Sequence, residues 1–412
     1  MSKWQKVKLG ELYEVHNGLS KGREFFGSGY PFLTFSTVFN NWFLPKKLDS
    51  LVQSSDKERE ACSIRKGDVF ITRTSETMNE LGMSSVALCD YPNATYNGFT
   101  KRLRPITDNV VPEYIGYYLR SPKFRGKFMA FSTMTTRASL ANGDLLGMEV
   151  ELPNKVTQKR IANILFRYDS LIENYQKQIK LLEESAQRLY KEWFVDLNFP
   201  GYESTKVVDS VPEGWERKKI GDLISKTQRT KQVPTNCYQS VGSIPIIDQS
   251  KNYIAGYTDD EECKVSVKIP YIVFGDHTRV LKFIPFSFAK GADGTQLIMT
   301  NDLKRMPQSL FYNSLKHVDL SNYSYARHFK YLKEEQILVP TELIADRFDS
   351  FASKWYKAIQ QCRKEINILT EARDRLLPKL ISGEISVETA QSVTSGLGVR
   401  KEQTDSPQAT DS

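Results

Sequence analysis

Cysteine and histidine are scarce in this 412-residue chain, with five of the first and four of the second. Cys62, Cys89, Cys237, Cys263 and Cys362 include no Cys-x-x-Cys pair and have no histidine at metal-ligand spacing. A zinc module and a disulfide framework are therefore not expected, and the thiols read as reduced and structural. His16, His277, His317 and His328 likewise show no spacing that suits a metal site or a nucleophilic relay. No apolar run reaches 18 residues, which argues against a membrane-spanning helix. The opening "MSKWQKVKLGELYEV" lacks the apolar stretch of a signal peptide, so the chain is expected to stay in the cytoplasm.

Two catalytic signatures are also missing. An amino-methyltransferase needs a Gly-rich cofactor loop and an Asp/Asn-Pro-Pro-aromatic loop for the amine of a flipped base. The nearest match, Asn198 to Tyr202, is broken by Phe199 and Gly201 and reads as the turn ending a helix. A metal-dependent nuclease needs paired acids and a lysine around its ion. Asp248 with Glu262 and Lys264 can be fitted to that spacing, but "TDDEECK" reads better as a solvated acidic turn.

What the chain does have is a repeat. "WQKVKLGEL" from Trp4 returns as "WERKKIGDL" from Trp215, at an offset of 211 residues. The net charge of +8 divides along the same lines. Residues 1–150 hold 20 Lys and Arg against 15 Asp and Glu, and residues 215–338 hold 18 against 13. The stretches between and after them are each slightly acidic. Two basic blocks suggest two separate polyanion-facing surfaces.

A second repeat, at an offset of 187, relates the stretch from Ile161 to the stretch from Phe348. In the first copy a heptad seam runs through Ile161, Leu165, Tyr168, Ile172, Tyr175, Ile179, Leu182, Ala186, Leu189 and Trp193. In the second it runs through Phe348, Ala352, Trp355, Ile359, Cys362, Ile366, Leu369, Arg373, Leu376 and Leu380, with Arg373 its one charged member. A seam sustained over five heptads predicts long helices in a coiled coil, most simply paired with one another. Each would be roughly 55 Å long, and antiparallel pairing would relate the two blocks by an approximate two-fold.

The blocks themselves are rich in strand and turn signals. "DVFITRTSETM" and "YIVFGDHTRV" each read as a buried strand, Val69 to Thr72 and Tyr271 to Phe274, running into a polar loop. Asn97-Gly98 and Asp293-Gly294 read as hairpin turns. Short helices are predicted after Pro112 and Pro307. The expected fold class is α+β: two similar mixed α/β domains separated by two long helices forming an antiparallel coiled coil, with an internal pseudo-two-fold repeat.

This order of parts resembles the specificity subunit of type I restriction-modification enzymes. The resemblance is carried by "LPNKVTQKRIANIL", "LYKEWFVDLNFPGY", "VPEGWERKKIGDL" and "RDRLLPKLISGEI", and covers residues 1 to about 390. It implies target recognition domains at 1–150 and 201–338, helical spacers at 151–200 and 339–390, and a tail at 391–412 whose composition suggests disorder. It further implies no catalysis and no cofactor in this chain, which would bind double-stranded DNA. Its expected partners are two adenine-specific methyltransferase subunits and the nuclease/translocase subunits, which use S-adenosylmethionine, Mg²⁺ and ATP. Other readings of the domains are a stand-alone nuclease or methyltransferase, or a coiled-coil scaffold whose basic domains bind RNA or protein.

Candidate base readers are the polar loops after the paired strands: Thr72, Arg73 and Ser75 in one block, Asp276, His277 and Arg279 in the other. Arginine suits bidentate hydrogen bonding to guanine, and Thr, Ser or His can reach other base edges. Arg73 and Arg279 read equally well as surface salt-bridge partners. Candidate phosphate contacts are Lys101, Arg102, Arg104 and Arg137, with Lys251, Lys282, Lys290, Arg327 and His328, any of which could instead belong to an ordinary solvated face. The aromatics Tyr96, Phe99, Tyr253 and Tyr325 read as core or hairpin-face residues.

Overall fold

The computed structural model describes residues 4–75, 80–131, 138–139, 141–227, 230–323 and 327–394. The chain divides into two compact units, one comprising Met1–Ile172 with Asn367–Ser412 and the other Glu173–Ile366. Both long helices, Lys155–Tyr190 and Glu342–Ser382, are shared between the units.

In the first unit the opening strand Gln5–Lys8 pairs antiparallel with Glu149–Leu152, which leads into the first long helix. In the second unit Glu216–Lys219 pairs in the same way with Gln336–Val339, ahead of the second long helix. The registers correspond: Gln5 faces Leu152, and Glu216 faces Val339. These partners are related by the two sequence offsets, 211 and 187. The repeated opening is therefore the strand that closes each block onto the root of its own helix.

The repeated tryptophan has a matching task. Trp215 packs its ring on Phe199 and Phe194, with centroids 4.7 and 5.4 Å away, where the first long helix ends in the π turn Lys191–Val195. In the other unit Trp4 lies against Gly383, which terminates the second long helix at φ 74°, a left-handed conformation that suits glycine.

The heptad seam is present. None of its twenty positions is exposed. The helices pair antiparallel in each unit: Asp169 meets Arg373 in the first, while Gln178 meets Cys362 and Tyr190 meets Phe348 in the second. Arg373, the charged seam member, keeps its charge compensated. Its guanidinium lies 2.5 Å from the Asp169 carboxylate and 5.0 Å from the Trp42 ring centroid. The Tyr117 hydroxyl donates to the same carboxylate at 2.5 Å. Burial and that carboxylate push the phenol's pKa up, so it stays protonated as a donor.

Each block carries a buried strand at the heart of a sheet. Val69–Thr72 lies between Thr100–Pro105 and Ser84–Val86, with Tyr13–Asn17 beyond. Tyr271–Gly275 lies between Leu281–Ile284 and Thr295–Ile298. The helices expected after Pro112 and Pro307 form as Pro112–Arg120 and Gln308–His317.

The two expected hairpins do not form. Strand Thr95–Tyr96 pairs with Phe26–Leu33, whereas Thr100–Pro105 joins the other sheet. Asp293-Gly294, at φ 30° and 73°, likewise connects Phe288–Lys290 in one sheet to Thr295–Ile298 in another. Both turns exist, but each hands the chain between sheets. The tail begins in a helix, Val387–Thr394, and residues 395–412 lie outside the described residues.

Candidate nucleic-acid interface

In the second block, strand Tyr271–Gly275 delivers the loop Asp276–Arg279 to the surface. Gly275 N–H donates to Val280 O and Arg279 N–H to Gly275 O, both at 2.8 Å, which closes the loop tightly. Closure forces Arg279 to φ 59°, a left-handed conformation that costs a non-glycine residue roughly 1–2 kcal/mol. Strain of this kind persists where the surroundings enforce it.

Several groups enforce it here. Gln249 accepts from His277 N–H at 3.1 Å and donates to Asp293 O at 3.0 Å, while its carbonyl accepts from Thr278 Oγ1 at 2.6 Å. Asp276 is buried and receives the first N–H groups of helix His328–Glu334. His328 N–H donates to its carbonyl at 3.0 Å, and Phe329 N–H donates to its carboxylate at 2.8 Å. His277, Arg279 and Arg327 are exposed, whereas His328 is buried. The structure thus brings His277, Arg279 and His328 together, with Arg327 beside them in sequence.

In the first block Thr72 is buried. Its hydroxyl donates to Glu80 O at 2.6 Å and accepts from Met83 N–H at 2.9 Å, so it ties the far end of its loop back to the strand. Arg73 is half-buried, and its N–H donates to Phe99 O at 3.0 Å. Ser75 sits on Thr74–Ser75, which pairs with Ala138–Ser139. Arg137 and Tyr325 lie outside the described residues.

Four phosphate-contact candidates are turned inward. Lys101 is buried with its ammonium on Asn142 Oδ1, and burial lowers its pKa. Arg102 is buried and donates to the carbonyls of Ser63 at 2.7 Å and Ala61 at 3.2 Å. Arg104 is paired with the buried Asp68 at 2.7 Å. Lys282 is buried and donates to Asp248 O at 2.8 Å and to Asn252 O. The reason is shared: these residues lie on sheet strands covered by neighbouring segments, where a cation persists only by satisfying its donors on protein oxygens. Lys290 is half-buried with a pKa lowered by burial, and Lys251 is exposed.

Among the aromatics, Tyr96 is buried, and Tyr253 donates its hydroxyl to Phe283 O at 2.8 Å beneath Arg363. Phe99 departs from expectation. It is 62% exposed beside the backbone of Arg73, at the tip of the Asn97-Gly98 turn. Gln249 had no sequence signal, because its partners lie 28 to 44 residues away.

The fitted nuclease triad does not converge. Lys264 pairs with Glu261 and Glu262 with Lys231, while Asp248 accepts from Ser250 and Tyr238. Strand Phe288–Lys290 separates Ile244–Ile247, just before Asp248, from Lys264–Val265. Among the described residues, no group of three or more His, Cys, Asp or Glu side chains could hold a metal ion, and no helix is long and apolar enough to cross a membrane.

Comparison with known proteins agrees with this construction. Residues 1–184 match the family model of the type I restriction modification DNA specificity domain. The type I restriction enzyme MjaIX specificity subunit of Methanocaldococcus jannaschii is 26% identical, over 93% of this chain and 94% of its own length. The putative MjaX specificity subunit of the same organism is 24% identical over 94% of each chain. In fold, the chain is similar to the S subunit of a type I restriction-modification system from M. genitalium, with a TM-score of 0.55, 15% identity, and coverage of 92% of this chain and 96% of that one. Over most of its length the chain is thus similar to type I restriction-modification specificity subunits, and residues 1–184 match the DNA specificity domain of that family.

Proposed function

We propose that this chain recognises a bipartite, asymmetric DNA target and contributes no catalysis of its own. The observation that carries the reading is the paired construction of the blocks. Each closes on its own long helix in equivalent register, and each ends its central buried strand in an arginine-bearing loop, yet the loops differ in sequence and bracing. Like frames with unlike loops suit two unlike half-sites, whereas identical readers would select a palindrome. Arg73 and Arg279 are the proposed base readers, with His277 beside the second, and Lys251, Lys290 and Arg327 are the remaining described candidates for phosphate contact.

In this reading the chain needs no cofactor. Methyl transfer and cleavage fall to partner subunits that use S-adenosylmethionine, Mg²⁺ and ATP. Two methyltransferase subunits dock on the helical regions, where the repeat offers two similar surfaces, and nuclease/translocase subunits complete the assembly. The test has two arms. Purified chain incubated with labelled S-adenosylmethionine, Mg²⁺ and mixed-sequence DNA is expected to neither methylate nor cut. Native mass spectrometry of the chain co-expressed with its methyltransferase is expected to show two partners per chain. Activity in the pure chain, or a single partner, contradicts the reading.

A further inference from the structure

The strongest unexplained arrangement in the molecule is the buried histidine behind Arg279. His328 is 4% exposed, and its Nε2 lies 3.3 Å from Arg279 Nε. An arginine can only donate, so His328 accepts through Nε2. The imidazole must then be neutral, with its proton on Nδ1. Nδ1 is buried and has no hydrogen-bond partner among the described residues, so the acceptor tautomer is kept at some cost.

The remaining contacts restrain the arginine further. Its Nη2 donates to Tyr323 O at 3.3 Å, and Tyr323 is itself stacked on Tyr331 with ring centroids 4.2 Å apart. Two of the five guanidinium N–H groups are used in this way. Those left include one on each terminal nitrogen, the fork that a guanine edge accepts. The Asp276 carbonyl and carboxylate, which bind the first turn of the histidine's helix, fix His328 against the loop that carries Arg279.

We propose that His328 is a positioning residue: as a buried neutral acceptor it aims the Arg279 guanidinium at a base edge, and its protonation releases that aim. This rests on Arg279 being a base reader. It reassigns His328 from phosphate contact to the support of a neighbouring side chain.

The charged groups acting on His328 come from the loop packed against it. Arg279 and His277 disfavour its protonation, Asp276 favours it, and burial is the largest influence, so its pKa is lowered from the ordinary 6.5. The direction of the pH effect follows. At neutral and alkaline pH the imidazole is neutral and the aim is intact. As pH falls below the ordinary histidine range and through the depressed value, Nε2 gains a proton, two donors and two positive charges face each other, and the guanidinium is expelled.

The experiment uses the full chain assembled with its methyltransferase and duplexes carrying the target found by random selection, with every single-base substitution across both half-sites. R279A first identifies the base pair whose discrimination depends on Arg279. H328L, which removes the acceptor, is expected to lower discrimination at that same pair by roughly five-fold or more and to leave the other pairs unchanged. H328Q restores an acceptor and is expected to recover the discrimination. In the wild type, discrimination at that pair is expected to hold from about pH 8 to neutrality and to fall as the titration is carried below the ordinary histidine range. H328Q is expected to remove this pH dependence, and the half-site read by the first block serves as the internal control.

Wild-type discrimination in H328L, uniform weakening without positional signature, or a pH-independent wild type overturns the role of His328. If H328L does not fold, the wild-type pH profile and H328Q decide the question in the same way. An R279A variant with no positional effect removes instead the base-reading role on which the inference rests.

Discussion

Arg102 and Arg279 carry the same fork of donors into opposite surroundings. Arg102 sits on a strand paired on both sides and spends its donors on Ser63 and Ala61 carbonyls, whereas Arg279 reaches solvent from a strained loop. Removing them should have different consequences. Arg102→Ala removes the donors to Ser63 O and Ala61 O together with a buried side chain packed by Tyr96, and is expected to cost about 1–3 kcal/mol of stability, read by thermal unfolding. The slope of DNA affinity against salt should not change, because no phosphate contact is lost. Arg279→Ala is expected to leave stability nearly unchanged and to remove about 1–3 kcal/mol of discrimination at one base pair, read on a panel of single-base variants. A flattened salt slope in the Arg102 variant would return that residue to the surface. The charge of Lys101, Arg102 and Lys282 was legible in the sequence, but their burial was not. A basic residue in a strand pattern does not reveal which neighbours will cover it, and the oxygens that satisfy these three lie 30 to 41 residues away.

Among the elements, the long helices were the most legible, because a seven-residue period is a local property of the chain. Every seam position predicted from spacing is buried or half-buried. What the period could not supply was the partner of Arg373, since Asp169 is 204 residues away on the other helix. That pair gives a prediction at this scale. Asp169→Ala leaves Arg373, largely buried beside Trp42, with only the more exposed Asp374 as counter-charge and is expected to cost up to about 3 kcal/mol. Replacing both residues by leucine should recover most of the loss, and chemical denaturation of the three variants measures it. Equal destabilisation in the single and double variants would show that the ion pair itself, and not the stranded charge, sets the cost. The strands were less legible. Asn97-Gly98 and Asp293-Gly294 were correctly read as turns, but turn chemistry does not specify whether the next strand returns to the same sheet. In both blocks it enters a different one. The bracing of Arg279 by His328 and Tyr323 depends on contacts across 44 to 49 residues and left no local trace.

For the whole molecule, the repeat was the decisive signal. The two offsets in the sequence reappear as equivalent strand registers in the two units, and the repeated tryptophans pack at the ends of the two long helices. Each unit folds around one block with portions of both helices, so the chain repeats a design while changing its exposed loops. The central claim is that the blocks read two different DNA half-sites. Its most direct measurement is selection of bound sequences from a random duplex pool, using the chain assembled with its methyltransferase, repeated with the Arg73→Ala and Arg279→Ala variants. The account predicts a consensus with two unlike halves, separated by a gap of fixed length and no preference, and each substitution degrading one half while sparing the other. A continuous palindrome, a substitution that degrades both halves equally, or no DNA preference beside strong RNA binding would contradict it.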